Sequence, residues 1–279
     1  MPPIRTSPRL TTPPWGGATL AAQLQKGEDR AARIGESWEV WRENPVVGRP
    51  GVVLGDLVDL PILVKLLDTR EVLSVQVHPD DAAAARLCGA PSGKAEAWVV
   101  LGAEPGARIA YGLTRALSAE ELRDHAMSGA IEGDLRWLEV RAGDVIDVPP
   151  GTIHAIGAGL LLYEIQQPAD LTFRLYDWGR GRALHLDAAV DVATRTPVRP
   201  SARPVEVGDG RLRLIDAPQF RVDRLDVARV LGVEGVQALT VIEGAVTVDG
   251  EPVAVGETVV VRGAALGGVG LVLAATAGR

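Results

Sequence analysis

Eight short runs, at residues 60–68, 71–78, 95–101, 107–111, 135–140, 145–148, 160–166 and 172–177, are apolar or alternate apolar with polar side chains, and turn residues separate them. Successive side chains of a β-strand point to opposite faces, so each alternating run offers one face for burial. Many such strands at short intervals predict a mainly β chain, a sandwich or barrel. Helices enter it as insertions. Residues Ala18 to Lys26 suit a short helix, and Ser118-Ala-Glu-Glu121 makes a capping-box start for a helix reaching about Ser128, where Gly129 stops it. The segment Asp80 to Ala90 also reads as a helix. Residues 191–208, with Pro197, Pro200 and Pro204, read as a linker. This divides the chain into a catalytic unit over 1–196 and a smaller β unit over 197–279. In the second unit, Ala238 to Gly250 reads as two strands and Val253 to Val261 as a further hairpin.

With 279 residues and 47% hydrophobic content the chain can bury a sizeable core. A net charge of −7 and a pI near 5.2 argue against broad nucleic-acid or anionic-membrane binding, so a phosphate ligand would need a local basic pocket. The single cysteine, Cys88, excludes an internal disulfide and suits a reducing compartment. The first residues lack an apolar leader, and no run of about 18 apolar residues occurs, so cytoplasmic residence is the expectation.

Three ligand-type side chains fall within these runs, and a fourth follows one of them at a turn. In Leu73-Ser-Val-Gln-Val-His78 the alternation points Gln76 and His78 to one face. Glu96 begins a later run, and Gly143-x5-Pro149-x-Gly151-x2-His154 is a strand ending in a Pro/Gly corner that delivers one imidazole. Two imidazoles, a carboxylate and an amide oxygen suit a borderline divalent ion, zinc first and other first-row metals after it. With so few protein ligands, coordination positions stay open for water or a substrate hydroxyl, as in a catalytic site. A lone histidine is more often a satisfied structural residue, and His125 and His185 are read that way; the surrounding motif separates His78 and His154 from that class.

The Gly143 to His154 spacing resembles the second cupin motif, with departures: Gln76-x-His78 stands where many cupins have His-x-His, Glu96 lies 18 residues beyond His78, and no Asn follows His154. Further blocks sharpen the resemblance to type I mannose-6-phosphate isomerase across most of residues 14–180: Trp15-Gly-Gly17, Gly35-Glu-Ser-Trp-Glu39, Leu60 to Lys65, Leu73 to Asp81, Gly93 to Trp98, Val148 to Gly157, and Glu164 to Pro168 through Arg174 to Gly179. Trp41 departs from the family pattern. The resemblance implies a cupin jelly roll of two units, a bicupin, with a few helical insertions. The second unit, without His or Cys, would be a degenerate, metal-free one.

It also implies one Zn2+ per chain held by Gln76, His78, Glu96 and His154, and a small sugar phosphate as the partner molecule. Lys65, Ser74, Lys94, Glu164 and Arg174 match residues lining the sugar-phosphate pocket. Charges set in apolar strands are costly unless paired or used. A structural Glu164–Arg174 pair is the plain explanation; the functional one makes Glu164 an acid/base group and Arg174 a neutraliser of negative charge. Proton transfer is open to Glu164, Lys94 or a water on the metal, with a slight preference for Glu164. Gln166, Gln167 and the Tyr176-Asp-Trp-Gly-Arg180 stretch are expected only to build the pocket wall. The implied reaction interconverts mannose 6-phosphate and fructose 6-phosphate through an enediol. Another sugar phosphate, or a cupin that binds sugar phosphate without turnover, are the alternatives. An iron dioxygenase is disfavoured, because Gln76 replaces a ligand of its triad. Oligomeric state is not legible in the sequence.

Overall fold

A computed structural model describes residues 2–278. Each of the eight runs contains a strand, and these strands make up most of two antiparallel sheets. One sheet has the order Arg9–Thr11, Glu36–Val40, Leu63–Thr69, Leu160–Gln166, Glu96–Ala103, Val145–Val148. The other has the order Phe173–Tyr176, Val75–Val77, His154–Ile156, Arg108–Leu113, Leu135–Glu139.

Alternation sorts the side chains by face. Leu67, Trp98, Val100 and Leu162 of the six-stranded sheet pack with Ile109, Tyr111 and Ile156 of the five-stranded sheet to fill the space between them. The same inner face, further along, carries Lys65, Glu96 and Glu164, and the register sets Glu164 beside both Lys65 and Trp98. The outer face of the five-stranded sheet is covered by helices, through Val75, Val77, Ala110 and Ala155 against Leu122, Ala126, Ala189 and Val190.

The chain beyond residue 204 forms a seven-stranded sheet, which also takes in Ile4–Arg5 from the start of the chain, with Ile4 opposite Val260. Its Leu214, Phe220, Ala238, Val260 and Leu273 bury the outer face of the six-stranded sheet, against Val64, Leu66, Ala97, Val99, Tyr163 and Ile165. Each such Val, Leu, Ile or Phe side chain contributes about 1.5–3 kcal/mol on burial. The second unit is therefore a backing layer for the strands that carry the charged residues.

Three local expectations change. The Ala18 to Lys26 segment holds only a single helical turn, Thr19–Ala22, because Gln25 at φ 58° and Gly27 at φ 72° turn the chain away. Residues 238–250 are not two strands but part of one continuous strand, Gly232–Val248, followed by a tight turn into Glu251–Val253. Gly244 lets two backbones meet within that strand: at φ 87°, a Cβ there would lie 2.1 Å from the Val269 carbonyl oxygen. The 191–208 segment is not wholly linker, since helix Leu186–Val192 and strand Val205–Gly208 occupy its two ends. The other helices form where read. Asp81–Cys88 is capped by the Asp80 carboxylate and ends at Gly89, and Ala119–Ser128 starts on the Ser118/Glu121 capping box and ends at Gly129. Among the described residues no helix is long and apolar enough to cross a membrane, and Cys88 is exposed.

Candidate active site and metal centre

His78, Glu96 and His154 arrive from three different elements and meet. Glu96 opens the strand Glu96–Ala103, His154 opens the strand His154–Ile156, and His78 follows the strand Val75–Val77. One ligand atom from each lies within 4.8 Å of the others. Gly93 makes the approach of the Glu96 segment possible: Lys94 N donates to the Pro79 carbonyl at 2.9 Å, and a Cβ on Gly93 would lie 2.5 Å from Pro79 O. All three side chains are buried, at 0–2% exposure.

The imidazoles have fixed tautomers. His78 Nδ1 lies 2.7 Å from the Leu171 carbonyl and His154 Nδ1 lies 2.9 Å from the Thr152 carbonyl. A carbonyl only accepts, so each Nδ1 carries the proton and donates it, leaving the unprotonated Nε2 lone pair as an acceptor that Lys94 Nζ approaches to 3.4 Å on His78 and Gln76 Nε2 to 3.2 Å on His154. Those lone pairs face Glu96, with His154 Nε2 at 3.2 Å from Oε1 and His78 Nε2 at 3.4 Å from Oε2. Lys94 Nζ approaches Oε2 to 2.9 Å, yet neither carboxylate oxygen receives a donor in hydrogen-bond geometry. Buried lone pairs facing one another with no hydrogen between them are stable around a cation and costly without one. Two imidazole nitrogens and a carboxylate fit a divalent metal.

Gln76 is in the cluster as the sequence expects, but its amide is turned. Nε2 lies 3.2 Å from His154 Nε2, while Oε1 accepts from Ser74 Oγ at 3.4 Å. The amide nitrogen, not the carbonyl oxygen expected as a ligand, faces the centre, because the free lone pair of His154 attracts a donor. Ser74 thus touches the site through Gln76.

The electrostatics follow the geometry. Burial, and then the adjacent Lys94 charge, lower the His78 imidazole from 6.5 to about 4. For Glu96 burial works toward a raised value, but the Lys94 ammonium and the neighbouring imidazoles outweigh it and hold the carboxyl well below its ordinary range. Burial likewise opposes the Lys94 ammonium, and the carboxylates of Glu96, Glu164 and Asp170 overcome it and hold Lys94 above the usual lysine range. The depressed His78 and Glu96 values have one sign: the unfolded chain takes up protons first. Stability of the metal-free protein is therefore full above 6.5 and is lost as pH falls toward 4 and below. Urea unfolding of the metal-free protein between about pH 7 and pH 4 should show a falling midpoint. A flat profile would contradict the neutral, buried His78.

Beside the metal cluster lies a second buried group. Lys65 Nζ is 3.2 Å from Glu164 Oε1, and Trp98 Nε1 donates to Glu164 Oε2 at 2.9 Å. The Trp98 ring also stands edge-on to His154, 5.4 Å between centroids, and Lys65 lies over Trp38 at 4.7 Å. Glu164 is therefore paired with Lys65, and a Glu164–Arg174 pair is not formed. Arg174 stands apart from that pair. Its backbone is opposite Gln76, its Nη1 donates to the Ala183 carbonyl at 2.8 Å, and its buried Nε has no partner. Of the expected site residues only Gln76 and Arg174 are partly exposed, which puts the opening of the site on their side.

Trp98, Leu171 and Thr152 escaped the sequence reading. Trp98 had a signal, since it stands two residues from Glu96 and so shares its face. The two carbonyls had none. His125 and His185 stay outside the site, as expected: His125 Nδ1 meets Asp134 at 2.5 Å, and His185 Nδ1 accepts from Arg174 N at 3.0 Å.

The family model of the phosphomannose isomerase type I catalytic domain matches residues 39–98. A mannose-6-phosphate isomerase of Streptococcus mutans is 46% identical over 140 residues, 48% of this chain and 44% of that protein. The chain spans about half the length of the curated relatives it matches, from 44% to 57%. The crystal structure of the mannose 6-phosphate isomerase from Bacillus subtilis has a TM-score of 0.85 with this chain at 27% identity, covering 99% of each. The crystal structure of a mannose 6-phosphate isomerase bound with zinc and yttrium has a TM-score of 0.78 at 14% identity, covering 99% of this chain and 100% of that one. The architecture is of the mainly β, cupin type.

Proposed function

We propose that this chain is a member of the type I phosphomannose isomerase family and a metal-dependent aldose–ketose isomerase interconverting mannose 6-phosphate and fructose 6-phosphate. The observation that carries the reading is the buried His78–Glu96–His154 cluster beside the Lys65–Glu164 pair, one group suited to a metal and the other to proton transfer.

His78, Glu96 and His154 would hold the ion, with Gln76 joining them after its amide turns over; the two amide ends are nearly equal in shape. When bound, a divalent ion supplies Lewis-acid polarisation of substrate oxygens. Zinc suits the donor set and is one of the two metals bound in a structural relative.

The protein's own groups do the rest. Glu164 takes a proton from one of the two carbons C1 and C2, exchanges it with solvent, and delivers a proton to the other, through a cis-enediol. Lys65 and the Trp98 N–H hold its carboxylate by both oxygens, which fixes the direction of the remaining lone pairs. Lys94, Lys65 and Arg174 give the site the local positive charge that the acidic chain as a whole lacks, which suits a phosphorylated sugar. Ser74 supplies a hydroxyl at the same wall. Arg174 comes within reach of substrate only if its guanidinium leaves Ala183.

Isomerisation in deuterium oxide tests the proton-transfer route. Product carrying solvent deuterium at the reacting carbon is the expected result. Turnover with complete retention of the substrate hydrogen would point to a shielded or hydride route and against free exchange at Glu164.

A further inference from the structure

Gln166 and Gln167 stand next to the site in sequence and are almost fully buried, at 0% and 8% exposure. Gln166 lies on the site face of its strand, opposite Glu96 in register. Its Nε2 donates to the Gln167 carbonyl at 3.0 Å and to the Ala169 carbonyl at 2.6 Å, and Ala169 N donates to Gln167 O at 2.7 Å. That turn leads directly to Leu171, whose carbonyl holds His78 Nδ1.

Gln167 reaches the other way. Its backbone N donates to Ala95 O at 3.0 Å and its Oε1 accepts from Ala95 N at 2.9 Å, which fixes the peptide between Lys94 and Glu96. Its Nε2 donates to Asp81 Oδ1 at 2.9 Å, and the same oxygen accepts from Gly93 N at 2.8 Å. Asp81 opens the helix that follows His78. Gln167 therefore bonds directly to the segment that carries Glu96 and, through the Asp81 side chain, to the helix that follows His78, while Gln166 braces the turn leading to the Leu171 carbonyl.

We propose that Gln166 and Gln167 are positioning residues that set the separation and orientation of His78 and Glu96 for metal binding. This rests on the metal reading of the site. Carboxamides suit the task without adding charge: Gln167 uses its donor and its acceptor, and Gln166 uses its amide N–H groups on two carbonyls while its Oε1 has no partner. A carboxylate at 166 could not donate to the two carbonyls and would add a negative charge beside Glu96. An apolar side chain at 167 would leave Ala95 N and Asp81 short of a partner.

The test uses Gln166→Met and Gln167→Met in the full chain, with volume nearly kept. The zinc dissociation constant is measured by competition with a chromophoric chelator, and the visible spectrum of the cobalt-substituted protein reports the ligand geometry. Each variant is expected to bind zinc about 10- to 100-fold more weakly and to change the cobalt spectrum. If a buried variant does not fold, Asp81→Ala, at an exposed residue, removes the Gln167 anchor and should weaken zinc about tenfold. Variants that are less stable when metal-free yet keep the wild-type zinc constant and cobalt spectrum would overturn the proposal, since the glutamines would then serve packing alone. A wild-type protein that binds no zinc would reject the metal reading itself. Wild-type binding with unchanged variants would reject only this inference.

Discussion

Glu96→Gln is expected to lower kcat/KM for mannose 6-phosphate by about three orders of magnitude or more, and to leave the purified protein nearly free of zinc. The substitution keeps the shape of a side chain that is 2% exposed and changes its charge. Glu96 is the one anion of the cluster, placed between the two imidazole nitrogens and Lys94. Without it two neutral imidazoles remain beside an ammonium, a poor place for a dication. A stabilisation of several kcal/mol in the transition state corresponds to a thousandfold in rate or more. Metal analysis alongside steady-state kinetics checks this. A variant that keeps its zinc and works within tenfold of wild type would remove Glu96 from the metal site.

Glu164→Gln should separate the two functions of the cavity. Zinc content is expected to stay at the wild-type level, because Glu164 bonds to Lys65 and Trp98 and not to the His78–Glu96–His154 cluster. The rate constant kcat is expected to fall by about 10²- to 10⁴-fold, the usual contribution of a positioned acid or base. The variant also leaves Lys65 buried without its counter-charge, which costs about 3–5 kcal/mol in comparable pairs. Loss of rate and loss of stability would then coincide. The double variant Lys65→Met/Glu164→Met separates them. Replacing both members of a buried ion pair by apolar groups is often neutral or stabilising, so the double variant should regain stability in chemical denaturation while its activity stays lost. A double variant that recovers turnover would make the pair structural and move the proton transfer to Lys94.

The strands and the residues of the His78–Glu96–His154 cluster were legible because both depend on short-range pattern. Period-two alternation marks a buried face whatever the partner strand is, and it put Gln76 with His78 and marked the run that Glu96 opens. What depends on register was not legible. That Glu164 meets Lys65 and Trp98 instead of Arg174 follows from which strands lie side by side, and nothing in the local sequence states that order. The tautomer-fixing carbonyls of Leu171 and Thr152 carry no side-chain signature at all. The continuous strand Gly232–Val248 was not legible either: Gly244 relieves a backbone contact inside it, and only the position of Val269 shows this. The short Thr19–Ala22 turn in place of a longer helix has a similar cause, since good helix formers were outweighed by the left-handed residues Gln25 and Gly27 that follow.

Metal-dependent isomerisation is tested most directly by a coupled assay of mannose 6-phosphate conversion to fructose 6-phosphate, with zinc content determined on the same sample before chelation, after chelation and after zinc is restored. Turnover that disappears with the ion and returns with about one zinc per chain is the expected result. A folded, zinc-loaded protein that binds the sugar phosphate and does not convert it would contradict the isomerase assignment.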